Sequence, residues 1–488
     1  MNLISLLIIT VVFFMVNSFI KKNFNSKDKL IGPWELPILG SLLYFGNRSD
    51  KYGDFKMYMG DYRTVVLADP MKIREVWVKN FDKFSDRPHL PTYEFFTCGF
   101  HDVSTADYSL WKNNRGIIAN SFSKINLKVI TPIIENQCKL LLKRMKEYQD
   151  SNEIFYPKNH LKKFSMNVML KMVFSTEIPY DETVSCRTSE ELGEPLNRVF
   201  ETTGTGNLFD YIKSLHPLSM LYLKYSVGDD LNYIRSYIYE LYQDHLLEID
   251  TKKVRINIKS NFPRDLFDII ISADYPHDKE NNIIGIGSDL IGVGTDTSSS
   301  SLTWFFLYMC NYPKVQEKAF RELQEVIGQD RQPHISDRIN TPYVAALIKE
   351  ILRIRPIAPL GVPRLCGEDF TIGDIHINQG DLVLMNIFAI HHNEKYWKDP
   401  KVFEPERFID NNNAENWIPF GLGPRNCLGI KFFKVNRITN IECYKLLQYS
   451  MALDEIYLAI TNILLNYKIT SANGQLVDDT ERKSVYPI

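Results

Sequence analysis

Hydrophobic and polar positions divide the chain into regions of different pattern. Leu3 to Ile20, LISLLIITVVFFMVNSFI, is eighteen residues without a charge, the lower limit for a bilayer-spanning helix. Lys21, Lys22, Lys27 and Lys29 follow it and no lysine or arginine precedes it, so the positive-inside rule assigns the remainder to the cytoplasmic side. A cleaved signal peptide is the rival reading, but the stretch lacks a basic start and a small-residue cleavage site. GPWELPILG, Gly32 to Gly40, is punctuated by glycine and proline and predicts an extended turn between anchor and body. FKMYMG and RTVVLADP then read as two short strands closed by Gly60 and Pro70. From about Met71 onward helical periodicity dominates, with no internal repeat or linker to divide the chain. The expectation is an anchor (1–20), a hinge (21–40) and one large body (41–488), mainly α with a minor β part.

Three segments depart from plain helix or loop. Ser288 to Pro313, SDLIGVGTDTSSSSLTWFFLYMCNYP, is long and apolar, yet Gly-Val-Gly-Thr-Asp-Thr sits near its centre. A glycine costs about 1 kcal/mol in a helix interior, and Asp and Thr compete there for backbone hydrogen bonds. Such a violation in a buried helix marks either a close helix crossing or a functional site. KEILRIRP, Lys349 to Pro356, sets Glu350 and Arg353 on one helix face, close enough to pair. In PFGLGPRNCLG, Pro419 to Gly429, Cys427 lies among three glycines with Arg425 two residues before it. A thiolate is a soft ligand for iron. Gly421 and Gly423 permit backbone conformations closed to other residues, so the loop can aim amide hydrogens at the sulfur. A buried free cysteine in a turn is the plainer alternative.

Composition narrows the classes. A net charge of −2 and a pI near 6.6 give no basic field for nucleic acid. Seven widely spaced cysteines without a C-x-x-C argue against a disulfide scaffold or a zinc cluster.

Taken together, these segments resemble the cytochromes P450 of the microsomal class, the haem-thiolate monooxygenases. The resemblance runs in order through the anchor, the Pro/Gly hinge, WKNNR (Trp111–Arg115), GTDT in the long helix and E-x-x-R at Glu350 and Arg353. It continues through PERF (Pro405–Phe408) to F-G-x-G-x-R-x-C-x-G at Phe420–Gly429. It implies a fold that holds haem b between a long distal helix and a proximal cysteine loop. It assigns the axial thiolate and metal ligand to Cys427, and the grip on the haem propionates to Trp111, Arg115, Arg364 and Arg425. Glu350, Arg353 and Arg407 become a buried charge triad. Asp296 and Thr297 become the acid–alcohol pair that supplies protons for dioxygen cleavage. Val293 stands where the family more often has alanine or glycine. The implied partners are O2, a separate NADPH-dependent reductase on the same membrane, most simply that of the endoplasmic reticulum, and a small lipophilic substrate. Contact regions are expected near Pro91–Asp107, including Phe95, Phe96 and Phe100, and near Glu201–Asp210, Asp289–Thr297 and Ile357–Pro363. A reductase-independent haem-thiolate isomerase and a haem-binding paralogue without turnover are the alternatives.

Two departures from the family pattern stand out. The region 41–53 is shorter than the family's first helix and its approach. After Gly429, nineteen residues, Ile430 to Gln448, precede YSMALDEIYLA. Glu455 lies 26 positions after Gly429, and removing the nineteen gives 7, which restores the family spacing. The segment is either a retained intron, which would displace the proximal helix, or a genuine insertion that loops out.

Overall fold

The computed structural model describes residues 30, 32–33, 53–124, 127–180, 187–204, 207–254, 264–409, 413–432, 448–472 and 474–477. The expected anchor, nearly all of the hinge and the shortened stretch up to 52 lie outside these. Among the described residues no helix is long and apolar enough to cross a membrane.

The two strands read from the alternating runs form as β1 (Phe55–Met59) and β2 (Tyr62–Leu67), an antiparallel pair turning at Gly60. β3 (Arg364–Leu365), β4 (Phe370–Ile372), β5 (Ile375–Ile377) and β6 (Leu382–Met385) come from the second half of the chain. β6 runs parallel to β2, in register Val66 to Leu384, and antiparallel to β3, giving a four-stranded sheet in the order β1-β2-β6-β3. β4 and β5 form a separate hairpin.

The helices in chain order are α1 (Pro70–Arg74), α2 (Pro91–Phe96), α3 (Tyr108–Lys124), α4 (Leu127–Ser151), α5 (Pro157–Phe174), α6 (Arg187–Gly204) and α7 (His216–Val254). There follow α8 (Leu266–Ser272), α9 (Lys279–Asn311), α10 (Pro313–Val326), α11 (Pro342–Ile354), α12 (Ile387–His391) and α13 (Met451–Asn466). Proline at the first position starts α1, α2, α5, α10 and α11, where its missing N–H costs no helical bond. Pro313 also ends α9, because a proline there cannot continue the ladder.

α9 is the central element. It is buried along most of its length and packs chiefly on α5, with α7, α11 and α13 also against it. One main core runs through α4, α5, α9, α11 and α13, and a second lies under the sheet. Gly285 of α9 allows backbone to approach backbone. A Cβ at Gly285 would lie 2.3 Å from the carbonyl oxygen of His101, so the loop before α3 rests directly on the helix.

The charge triad is built as expected. Arg353 donates from Nε and Nη2 to Glu350 at 2.7 and 2.8 Å, and Arg407 Nε donates to Glu350 Oε1 at 3.0 Å. Arg353 Nη1 also donates to the carbonyls of His391 and Pro400. Glu350 and Arg353 are wholly buried. Removing one partner of such a pair leaves an uncompensated charge, at a cost of about 3–5 kcal/mol.

The nineteen residues after Gly429 begin as β7 (Ile430–Phe432) and end as β8 (Gln448–Ser450). These strands pair antiparallel, Ile430 opposite Ser450 and Phe432 opposite Gln448. The chain therefore leaves and returns at one place, and α13 starts at Met451, directly after the returning strand. Residues 433–447 lie outside the described residues. A displaced proximal helix is not what this backbone has, because a paired stem brings the ends of the excursion together whatever length lies between them.

Candidate active site: a cysteine loop facing a glycine-containing helix

The cysteine loop is fixed by its own backbone. Gly421 and Gly423 have φ of +72° and +75°, in the region that favours glycine. A Cβ at Gly423 would come within 2.0 Å of the Trp77 carbonyl oxygen, so only glycine fits against that turn. Cys427 N–H donates to the Phe420 carbonyl at 3.0 Å, and Asn426 N–H to the Gly423 carbonyl at 3.0 Å. The turn presents the amides of Gly429 and Ile430 to the cysteine sulfur. Burial pushes the Cys427 thiol up on balance, against the opposing pull of those two amides and of Arg115. These groups favour the charged form, the form that ligates a metal. Gly429 lies against Ala452, where a Cβ would sit 3.2 Å from the alanine Cβ and 3.5 Å from Cys427 Sγ. The first turn of α13 is thus adjacent to the cysteine loop across the β7–β8 stem.

Cys427 opens onto a cavity of about 350 Å³ between this loop and α9. Opposite it, α9 contributes Leu290, Val293, Gly294 and Thr297. Val293 and Thr297 turn their side chains into the opening, and the Thr297 hydroxyl donates to the Val293 carbonyl at 2.9 Å. Asp296 does not line the cavity. Its carboxylate faces α5 and lies 3.8 Å from Lys162 Nζ. The reason is periodicity: adjacent positions of a helix with 3.6 residues per turn point about 100° apart. The expected acid–alcohol pair is therefore split, with the alcohol in the cavity and the acid held by a lysine behind it.

Arg115, Arg364 and Arg425 line the cavity with Trp111, and Arg87 joins them. Their hydrogen bonds go to backbone carbonyls or to an amide oxygen. Arg87 donates to the carbonyls of Ser104, Val362 and Pro363 at 2.8–2.9 Å. Arg115 donates to Asn426 Oδ1 at 2.8 Å, and Arg425 to the Ala106 carbonyl at 2.5 Å. Arg115 and Arg425 lie over the Trp111 ring, 5.8 and 4.6 Å from its centre. Arg364 Nε and both Nε and Nη1 of Arg425 are buried without a partner. Burial pushes Arg425 down to about 9 and Arg87 to about 10, and neighbouring guanidiniums add to the effect at Arg364 and Arg425. A cluster of buried cations with donors left over calls for an anion with carboxylate geometry, which a guanidinium fork fits. The residues present thus fit haem: a thiolate below, an apolar helix face above, and cations for its two propionates.

Of the expected contact regions, three reach the cavity, through Val103 and Ser104, through Asp289 to Thr297, and through Ile357 to Val362. No described residue of Glu201–Asp210 lines it. The phenylalanines do not either: Phe95 and Phe96 pack on the main core, and Phe100 stacks on His89. Sequence reading missed Arg87, which carries no local pattern. It also missed His391, whose ring ties the triad to the cysteine loop.

The comparisons with known proteins agree with this geometry. The cytochrome P450 family model matches residues 37–436, ending between β7 and β8. Among curated relatives, probable cytochrome P450 508D1 of Dictyostelium discoideum is 35% identical over 97% of this chain and 95% of its own length. Probable cytochrome P450 508A1 of the same organism is 35% identical over 98% and 94%. A zebra fish cytochrome P450 solved with progesterone superposes with a TM-score of 0.70 at 27% identity, over 87% of this chain and 91% of that one. With the family model matched over most of its length and these relatives along nearly all of it, the chain belongs to the cytochrome P450 family, as a haem-thiolate oxidoreductase of the monooxygenase class.

Proposed function

We propose that this protein inserts one oxygen atom of O2 into a small apolar molecule bound over the haem, with electrons from a separate NADPH-dependent reductase. Substrate, O2, two electrons and two protons give hydroxylated product and water. Bound haem supplies the activation of dioxygen, to which the thiolate contributes electron density. The chain's own residues do the rest. Cys427, held by two amides, is the ligand. Trp111, Arg87, Arg115, Arg364 and Arg425 hold the propionates. Val103, Leu290, Val293 and Ile357 offer an apolar surface that orients a lipophilic substrate and excludes water. Thr297 places a hydroxyl in the cavity where a proton must be handed on.

The observation that carries this reading is the cavity with Cys427 on one wall and Thr297 on the other. The membrane as the meeting place with the reductase rests on the apolar stretch Leu3–Ile20 and the lysines that follow.

The test is spectroscopic and then catalytic. Reduced protein exposed to carbon monoxide is expected to show the red-shifted band of a thiolate-ligated haem, and Cys427→Ser to lose it. With reductase and NADPH, oxygen uptake is expected to rise when a lipophilic substrate is added. A wild-type band typical of histidine ligation would sink the ligand assignment. Product formed without any reductant would replace the monooxygenase reading with that of an isomerase.

A further inference from the structure

Glu455 is a buried acid for which the reading above has no use. It sits in the second turn of α13, with 1% of its surface exposed, and it lines the cavity. Oε2 is 3.0 Å from Ser298 Oγ on α9, and Oε1 has no hydrogen-bond partner. Ser298 is the residue after Thr297 and also lines the cavity. The remaining groups near Glu455 come from α5 and α4. Ser165 of α5 leaves its hydroxyl without a partner in good geometry, and the Cys138 thiol of α4 is pushed up by burial, then by Glu455 and Glu135. Among the described residues no cation faces the carboxyl. The neighbouring Asp454 is turned to Arg338, and Lys162 is given to Asp296. Burial pushes Glu455 up to about 7, against the opposing pull of Ser165 and Ser298. A lone carboxyl in such a place is costly to charge, and perturbed acids of this kind concentrate at functional sites.

We infer that Glu455 is a positioning residue that sets the direction of the Ser298 hydroxyl, and so decides whether the cavity wall beside Thr297 offers a proton or a lone pair. In its acid form Glu455 donates its O–H to Ser298 Oγ, and the serine proton is free to point into the cavity. In its carboxylate form it accepts the serine proton, and the Ser298 lone pairs face inward. No bond other than hydrogen bonds changes between the two forms. The device links α13, which follows the cysteine loop, to the glycine-containing part of α9 through two side chains. This inference rests on the haem-thiolate reading for its consequence, though not for its chemistry.

Infrared difference spectroscopy of the holoprotein across pH tests the chemistry. A protonated buried carboxyl gives a C=O band above the amide region that shifts in deuterium oxide. The expected result is one such band that vanishes with a midpoint near neutrality and is missing in Glu455→Gln. Glutamine keeps the shape and a hydrogen bond to Ser298 but cannot titrate. The consequence is read as the fraction of reducing equivalents that reach product at each pH. In wild type that fraction should change with the same midpoint as the band. In Glu455→Gln the change is expected to disappear while the carbon monoxide band stays, which separates it from unfolding or haem loss. A near-neutral band that survives in Glu455→Gln, or a pH profile of coupling identical in the two proteins, would overturn the inference. If the wild-type carbon monoxide band is absent while the Glu455 band titrates as expected, the haem-thiolate reading fails and the proton-holding role stands.

Discussion

His391 accepts the backbone N–H of Ile418 at Nε2, 3.0 Å away, while its Nδ1 lies 3.1 Å from the carbonyl oxygen of Arg353. One neutral ring thus joins the residue that completes the charge triad to the strand of chain that enters the cysteine loop. The pattern fixes the tautomer, with the proton on Nδ1. Burial, then the Arg353 charge, pushes the ring down to about 3. The unfolded chain therefore binds the proton that the native state refuses, from the ordinary value of 6.5 down to about 3. Stability rises with pH across that window and is lost as pH falls through it. His391→Phe is expected to flatten this acid-side slope in urea denaturation at a series of pH values. At neutral pH it should cost about 1–3 kcal/mol, because the Ile418 amide loses its acceptor. An unchanged slope would show that another group governs acid unfolding.

Asp289 produces the opposite slope. It lines the cavity and accepts hydrogen bonds from the Val103 and Ser104 amides and the Ser104 hydroxyl, and that hydroxyl also reaches Asp102. Burial, then the nearby Asp102, pushes the Asp289 carboxyl well above the usual carboxylate range. Here the native state holds a proton that the unfolded chain releases near 3.8. Stability is complete below that value and is lost as pH rises from it toward the raised native value, by at most about 1.4 kcal/mol per pH unit. Asp289→Asn preserves acceptor and donor and cannot ionise. Its melting temperature is expected to match wild type in acid and exceed it at pH 8. A variant less stable than wild type at pH 8 would refute this.

Thr297 and Asp296, neighbours in sequence, should behave differently. Thr297→Ala removes a hydroxyl in the cavity and is expected to leave haem content and thermal stability unchanged while diverting reducing equivalents to peroxide. Asp296→Asn removes the largest of the negative charges acting on Lys162, itself mostly buried. A loss of thermal stability is expected there, since burial without a partner disfavours the charge. Peroxide yield and melting temperature measured on both proteins decide the matter; equal melting temperatures for the two variants would contradict the split geometry.

The β7–β8 stem bears on the two alternatives for the nineteen residues. With a displaced helix, removing the nineteen residues would rescue haem binding. With paired ends, haem binding does not depend on what lies between them. Replacing residues 433–447 by Asn-Gly, which suits a two-residue hairpin, is expected to leave the carbon monoxide band and the melting temperature as they are in full-length protein. A large gain in haem content on shortening would mean that the full-length stem does not form.

Much of this protein is local and therefore legible along the chain. The cysteine loop could be read because its constraint is backbone conformation, and glycine at 421 and 423 advertises positive φ in the sequence itself. Glu350 and Arg353 could be paired because a helix fixes their separation, and β1 and β2 because alternation matches the pleat. Tertiary structure decided what depends on direction and on distant partners. Asp296 and Thr297 are adjacent letters, and only the packing of α9 on α5 determines which of them meets the cavity. Arg87 is one arginine among many until the Val362 and Pro363 carbonyls, far along the chain, meet it at the cavity. The nineteen residues illustrate the same limit. Their length is plain in the sequence, but whether they displace a helix depends on hydrogen bonds between residues 430–432 and 448–450, because pairing depends on where two segments meet in space.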